Sequence, residues 1–439
     1  MKKKFIQKLT KVAFIVWLFS VPFSFAFSPA ILEKNKSYTS FGLYNIYLVD
    51  ATAIFFVIIA LINLYWHKKS FLTCRSNIMC YVPSFLFAIF AFLSLFWSGS
   101  PLVSGIWGLR MLVIIVALFI TAYFIQKSNY YRDLFLKILI AAGVIEGLIG
   151  LGQFIFQRSL GLYLLGESHL GPNILGLARV DLLGNNLIRA YGTFPHPNVL
   201  GGFLLFTIVA TVWNKSVKYK NILIIIQLIS LGLTFSRSAL LGLLIIIILY
   251  FTCSRDGACP VSTKNWKSKK FLAFGSLILL ISFIFLVRSP LQKLLSGRDE
   301  TTILRIEYAK AAIARFIDSP ILGRGWGTNS IELPAFSTFP FYFWEWQPVH
   351  NIYLLALSDL GIVGLLIFLY FIYQITFCRD GVCPVSTSIW KYLFIAYLFI
   401  GLFDHYLLTL PQGIFIFFAS ALLSLAIPGQ KKEKTPLGT

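Results

Sequence analysis

His350 and Asn351 stand together where a long polar stretch gives way to an apolar run, and Gly361 and Gly364 follow in the pattern HN-x9-GxxG. An imidazole titrates near neutral pH, so at a membrane surface it can take or give a proton. Glycines three apart on a helix let a neighbouring helix pack closely behind them. A His-Asn cap on a membrane helix would use the same residues without chemistry. The other reactive groups are arginines. Arg237 lies in Thr-Phe-Ser-Arg-Ser-Ala-Leu-Leu-Gly242, where two apolar runs meet, and Arg189 opens Arg-Ala-Tyr-Gly-Thr-Phe-Pro-His-Pro-Asn198. Arg305 sits in the polar stretch before His350. An arginine between two spans is costly unless it has an anionic partner, and its planar fork suits phosphate oxygens. Three of them near one histidine suit a lipid pyrophosphate and its sugar. Any one alone also fits an arginine snorkelling to the headgroups.

Other chemistries lack their residues. No GxxxxGK[ST] loop, GxGxxG after a strand, HExxH or GxSxG is present. The polar stretches hold no clustered carboxylates spaced for Mg²⁺ or Mn²⁺. The sequence therefore predicts neither cofactor nor metal.

The elements that must position these groups are apolar helices. The 439 residues are 58% hydrophobic and 13% charged, with 43 phenylalanines and a mean hydropathy of +0.79. That composition belongs to a multi-span membrane protein. Runs long enough to cross a bilayer fall near 12–30, 44–65, 81–97, 102–126, 133–156, 198–213, 221–235, 238–253, 271–288, 351–377, 392–404 and 412–428. They predict about twelve spans. With Lys2, Lys3, Lys4, Lys8 and Lys11 placed inside and the sides alternated, the inner segments take most of the 38 basic residues. Few of the 17 acidic residues join them. This positive-inside bias puts both termini in the cytoplasm, and it directs the net charge of +21 to the bilayer, not to nucleic acid. A cleaved signal peptide is the alternative for the first run, and cleavage would leave every later side unchanged.

Two long loops then face outward, and such loops are a usual place for function. The first runs from Arg158 to Pro197, the second from Arg288 to His350 with seven basic and six acidic residues. In the second, Ile306, Ala309, Ile313, Phe316 and Ile317 recur at helical spacing, with Arg305, Lys310 and Arg315 elsewhere on the surface. This predicts an amphipathic helix along the membrane that ends before Pro320. Gly323-Arg-Gly-Trp-Gly327 reads as a flexible turn whose amides can approach an anion. The aromatic run from Phe339 to Trp346 suits the headgroup level or a sugar-binding wall.

All six cysteines fall on the inner side or its edge, which argues against structural disulfides. Arg255-Asp-Gly-Ala-Cys-Pro-Val-Ser-Thr263 and Arg379-Asp-Gly-Val-Cys-Pro-Val-Ser-Thr387 are near-identical, and their cysteine spacing is poor for zinc. They read as duplicated filler.

Together, the Arg-Ser-Ala-Leu-Leu-Gly of 237–242, the Arg305-led helix leading to Pro320 and Gly323-x-Gly325, and HN-x9-GxxG resemble the O-antigen ligase and O-antigen polymerase family over roughly residues 190–370. The cysteine-containing repeats are not part of that pattern. The resemblance implies a helical, GT-C-like fold and transfer of a glycan from undecaprenyl pyrophosphate to an acceptor glycan, lipid or protein outside the cytoplasm. It implies that Arg237 and Arg305 hold the pyrophosphate, that Arg189 assists and that His350 activates the acceptor hydroxyl. Asn351, Arg324 and His196 are supporting candidates.

The expected architecture is an all-α polytopic membrane protein with a large extracytoplasmic loop. Its parts are N-terminal spans (1–157), a first outer loop (158–197), central spans (198–287), a catalytic loop (288–350), and C-terminal spans with a cytoplasmic tail (351–439). The rival reading is a transporter or flippase of lipid-linked oligosaccharide, for which Arg110 and Glu146 are the candidate intramembrane charges. No half-to-half repeat supports it.

Overall fold

A computed structural model describes residues 2–27, 45–67, 75–182, 184–214, 216–255, 300–342, 345–377 and 389–426. The first helices are α1 (Lys2–Ser20), α2 (Leu48–Trp66), α3 (Arg75–Leu93), α4 (Pro101–Lys127) and α5 (Asn129–Phe156). A loop with a two-stranded hairpin, β3 (Arg179–Leu182) and β4 (Asn185–Ile188), leads to α6 (Pro197–Trp213), α7 (Lys220–Leu233) and α8 (Arg237–Arg255). Then come α9 (Glu300–Asp318), α10 (Asn329–Phe336), α11 (Ile352–Phe377), α12 (Ile389–Ile400), the short α13 (Tyr406–Thr409) and α14 (Pro411–Ala426). A small pair, β1 (Ala26–Phe27) with β2 (Ile46–Tyr47), joins α1 to α2.

Among the described residues, α2, α4, α5 and α11 are long and apolar enough to cross a membrane. Shorter apolar helices stand beside them: α6, α7, α8, α12, α14 and the apolar part of α3. The expected span at 271–288 and both cysteine repeats lie outside the described residues, apart from the end of α8. Nearly every residue of α14 is buried. A helix apolar all round belongs at the centre of a bundle, and α14 packs there against α4, α6 and α12. Trp17 of α1 stacks flat on Phe56 of α2 at 5.1 Å and meets Phe415 of α14 edge-on at 5.7 Å.

Several expectations are corrected. The first apolar run does not continue to residue 30: α1 stops at Ser20, whose hydroxyl donates back to the Trp17 carbonyl, two residues before Pro22. The run at 392–404 also breaks early. Its helix ends at Ile400, and the Gly401 carbonyl accepts from the Ile352 N–H at 2.8 Å, so the chain turns beneath the start of α11. That turn frees Asp404 and His405 from the span.

The helix α9 forms where expected, and the isoleucines of its apolar stripe stay free of the bundle, as a helix lying along a membrane would hold them. Ile306, Ile313 and Ile317 are exposed, while Tyr308, Ala311, Ala312 and Arg315 are buried. Arg315 is thus not on the surface. Its side chain is fully enclosed, donating to Asp359 at 2.7 Å, Ser358 at 2.9 Å, Thr328 at 2.6 Å and Glu332 at 3.3 Å.

The glycine motif also works otherwise than expected. Gly361 has φ 65° and ψ −167° and breaks α11. The N–H groups of Ile362 and Val363 go to the carbonyls of Pro320 and Ile321, and a Cβ on Gly361 would strike the Ile321 carbonyl. So it is loop backbone, not a neighbouring helix, that fits against this glycine. The Gly323–Gly327 turn does meet an anion, and that anion is the chain's own Asp359. The Gly327 N–H donates to the Asp359 carboxylate and the Gly325 N–H to the Asp359 carbonyl, both at 2.8 Å.

The two intramembrane charges have structural partners. Arg110 donates to both oxygens of Asp50, at 3.0 and 3.2 Å, and to the Asn45 carbonyl. Glu146, fully buried, accepts from the Thr193 amide and hydroxyl at 2.8 Å each.

Candidate functional site

The groups singled out in the sequence come together mainly at one end of the bundle, and α5 sets up the first of them. Gln153 accepts from the amides of Tyr191 and Gly192 and donates to the Gly192 carbonyl, while Glu146 takes both donors of Thr193. The segment from Arg189 to His196 is therefore pinned to a buried helix face by side-chain acceptors. Its Ala190 N–H reaches the Leu233 carbonyl at 3.0 Å, which ties it to the end of α7. Pro197 at the first position of α6 suits a helix start, and the His196 ring accepts from the Asn198 N–H at 3.2 Å.

Arg189 is held at both ends of its fork. Nε donates to the Thr234 carbonyl at 2.6 Å and Nη2 to Asn198 Oδ1 at 2.8 Å. The Asn198 amide then donates to Asp404 at 3.0 Å, and Ser238 Oγ donates to the same carboxylate oxygen at 3.2 Å. One chain of contacts thus joins the Arg189 loop, α6, α8 and the turn after α12. Arg237 opens α8 after a turn in which Phe235 takes φ 47°, a left-handed conformation that is uncommon for a bulky residue. Phe235 packs against Phe154 of α5 at 6.1 Å, and Arg237 itself is exposed.

On the other side stands a stack of rings. Tyr308 of α9 lies parallel to Phe341 at 5.1 Å and to His350 at 5.5 Å, and His350 meets His405 edge-on at 4.9 Å. Tyr308 donates its hydroxyl to the Glu345 carbonyl, and His405 Nδ1 pairs with Thr409 Oγ1 at 2.8 Å. Arg305 sits one turn before Tyr308 on α9. Asn351 caps α11: its Oδ1 accepts from the N–H groups of Tyr353 and Leu354 at 3.0 and 2.9 Å.

Electrostatics tie the two sides into one site. The Arg189 guanidinium is lowered to about 10, first by burial, and then by Arg237 and Arg305 against the opposing pull of Tyr191 and Asp404. The Asp404 carboxyl is pushed up to about 6 by burial, against Arg305, Ser238, Arg189 and Asn198. His405 falls to about 3 through burial and then Arg305. His196 falls to about 3 through burial and then Arg189, His405 and Arg305. Yet His196 is exposed, so solvent moderates its shift. His350 lies well below 6.5, first through burial, then through His405, Arg305 and His196, with the Pro348 carbonyl opposing. The imidazoles here are neutral bases at pH 7.

Arg189, His196, Arg237, Arg305, His350 and Asn351 therefore lie in one region. Arg324 does not. It pairs with Asp318 and Glu332 and lies over the Phe336 ring at 4.8 Å. Sequence reasoning passed over Asn198, Ser238, Tyr308, Asp404 and His405. Asp404 was hidden because it was counted as the end of a span. An Asp-His pair closing an apolar run was the available signal, since such charges rarely sit in lipid without a role.

No curated protein matches the chain. A family model described as O-antigen ligase matches residues 222–369, a stretch that takes in Arg237, Arg305, Tyr308, His350 and the break at Gly361. On that match residues 222–369 are an O-antigen ligase domain, which supports the O-antigen ligase family for this chain.

Proposed function

We propose that this chain transfers a glycan from undecaprenyl pyrophosphate to an acceptor hydroxyl on the extracytoplasmic face of a bacterial inner membrane. The matched domain indicates O-antigen ligase-type function in cell-surface polysaccharide biosynthesis. The observation that carries the finer reading is the meeting of Arg189, Arg237 and Arg305 with a neutral His350 at one end of the bundle. In this reaction the acceptor oxygen bonds to the anomeric carbon, and the bond from that carbon to phosphate breaks. The pyrophosphate leaves with both bonding electrons, and the acceptor proton passes to His350. Arg237 and Arg305 take the charge that develops on the leaving group. Arg189, already bonded to Thr234 and Asn198, adds field from a fixed position. His350 Nδ1 is enclosed and without a hydrogen-bond partner among the described residues. Asp404 and His405 border the same space. The test is transfer by the purified protein from undecaprenyl-pyrophosphate glycan across a panel of acceptors; no product with any glycan, lipid or protein acceptor would reject the reading.

Arg237→Ala and Arg305→Ala should each weaken donor use by about 2–3 kcal/mol, the scale of charge-assisted hydrogen bonds. Lysine should restore little, because it lacks the fork. Donor titrations of the four variants decide this, and wild-type donor affinity in both alanine variants would remove these arginines from the pyrophosphate site.

The arginines supply the charge neutralisation that a divalent cation supplies in other pyrophosphate chemistries. Among the described residues, no group of three or more His, Cys, Asp or Glu could hold a metal ion. Activity should survive EDTA. Loss on chelation, restored by Mg²⁺ or Mn²⁺, would contradict the mechanism.

A further inference from the structure

A second site stands at the far end of the bundle. Between the start of α1, the end of α2 and the α4–α5 junction lies a cavity of about 510 Å³. Lys4, Lys8 and Lys11 recur at i, i+4 and i+7, so one face of α1 turns all three toward it. Lys127, at the end of α4, lines it from the other side, and among the described residues none that line it is acidic. The N-cap of α5, Ser128, makes no side-chain capping bond, which leaves the first amides of a 28-residue helix directed there.

Two inner groups add a different requirement. Asn63 is only 8% exposed, and its Oδ1 has no partner among the described residues. The same holds for His67 Nε2. Both residues line the cavity. A buried acceptor without a donor is costly, so the occupant must bring hydroxyl hydrogens as well as negative charge. The length of α5, about 42 Å at 1.5 Å per residue, separates this cavity from the arginine–histidine site. The lysine bias assigns this end to the cytoplasmic leaflet, whose anionic lipids concentrate at basic surfaces.

We propose that the cavity seats the headgroup of an anionic phospholipid of the glycerol type. Lys4, Lys8, Lys127 and the α5 amides hold the phosphate oxygens, and Asn63 accepts from a headgroup hydroxyl. Lys11, its ammonium 4.8 Å above the Tyr130 ring, closes the rim. A merely basic surface would attract lipid without selecting one, whereas a walled cavity with a buried amide selects.

Native mass spectrometry of the full chain in a neutral detergent tests this, with phosphatidylglycerol, phosphatidylcholine and inorganic phosphate titrated in parallel. One phosphatidylglycerol should be retained saturably, and phosphatidylcholine only at much higher concentration. Lys4→Gln, Lys8→Gln and Lys127→Gln should each weaken retention about fivefold, and about 100-fold together. These side chains are exposed, so the melting temperature should not move. Asn63→Ala should erase the preference for phosphatidylglycerol over phosphatidic acid, which lacks the hydroxyls. Equal retention of phosphatidylglycerol and phosphatidylcholine, or a triple variant that behaves as wild type, overturns the site. Inorganic phosphate binding as tightly as phosphatidylglycerol overturns the lipid as its source.

Discussion

His350→Ala is expected to lower glycan transfer by about 10²–10⁴-fold, the range for loss of a general base, while donor binding stays near wild type. The expectation rests on the ring's surroundings. Tyr308 stacks on one side at 5.5 Å and His405 meets it edge-on at 4.9 Å, so the imidazole is held in orientation by packing. Asn351, next in sequence, spends its oxygen on capping α11, which fixes the backbone that presents the ring. Because alanine also removes packing against Tyr308, His350→Gln provides the control: it fills the space and offers hydrogen bonds but no base. Single-turnover transfer with saturating donor separates the step from binding. Near-normal transfer by either variant would reduce His350 to a neighbour of a helix cap.

The pH profile gives the same assignment a second reading. His350 lies well below 6.5, so transfer should be flat from neutrality through pH 6.5 and fall only at clearly lower pH. Half-loss at or above pH 6.5 would mean an ordinary imidazole. Burial dominates this shift, ahead of the neighbouring His405, Arg305 and His196. Stability follows from the same groups. The histidines bind protons less readily in the folded chain, so the unfolded chain protonates first as pH drops. Their contribution is complete above about pH 6.5 and is lost below it, toward the folded value of about 3 for His405. Asp404, raised from 3.8 to about 6, opposes them: its contribution is present at low pH and is lost as pH rises through about 6. Between pH 7.5 and pH 5 the histidines and Asp404 therefore act on stability in opposite directions.

How much of this was legible in the sequence depends on which force placed each residue. Hydropathy and charge found α4, α5, α6 and α11 closely, because lipid-length apolar runs leave few alternatives. The α9 helix and its apolar stripe were legible from spacing: Ile306, Ile313 and Ile317 are exposed, on the side that a helix along a membrane turns to lipid. Arg315 was not legible. Its partners Thr328, Glu332, Ser358 and Asp359 arrive from later segments, and pairing over such separations has no local pattern to read. Gly361 was noticed for its spacing, but its use as a break depends on the Pro320–Gly323 backbone crossing it. Asp404 was lost to a one-turn error at the end of α12, which hid an acceptor shared by Asn198 and Ser238.

Arg315→Ala should cost the fold about 3–5 kcal/mol, the usual price of stranding a buried charge, and should reach the active end through the helix that carries it. The Arg315 side chain is fully enclosed. Its removal leaves Asp359, itself buried, with the Gly327 amide but no counter-charge. Thr328 loses its donor at the same time, and Ser358 keeps only that of Asn329. The same guanidinium docks α9 onto the broken segment of α11, so its loss loosens the helix bearing Arg305 and Tyr308, about two to three turns away at 3.6 residues per turn. Thermal melting in detergent should show a clear drop, and donor affinity should fall even though Arg315 touches no substrate. Arg315→Lys should recover only part, since one ammonium cannot serve four acceptors arranged around a planar fork. The paired change Arg315→Met with Asp359→Leu separates charge from packing: an apolar pair of similar volume is often neutral or stabilising where a single deletion is not. The double variant should therefore melt above Arg315→Ala. If Arg315→Ala melts with wild type, the enclosed ion pair does not hold α9, and the placement of Arg305 must be sought in another contact.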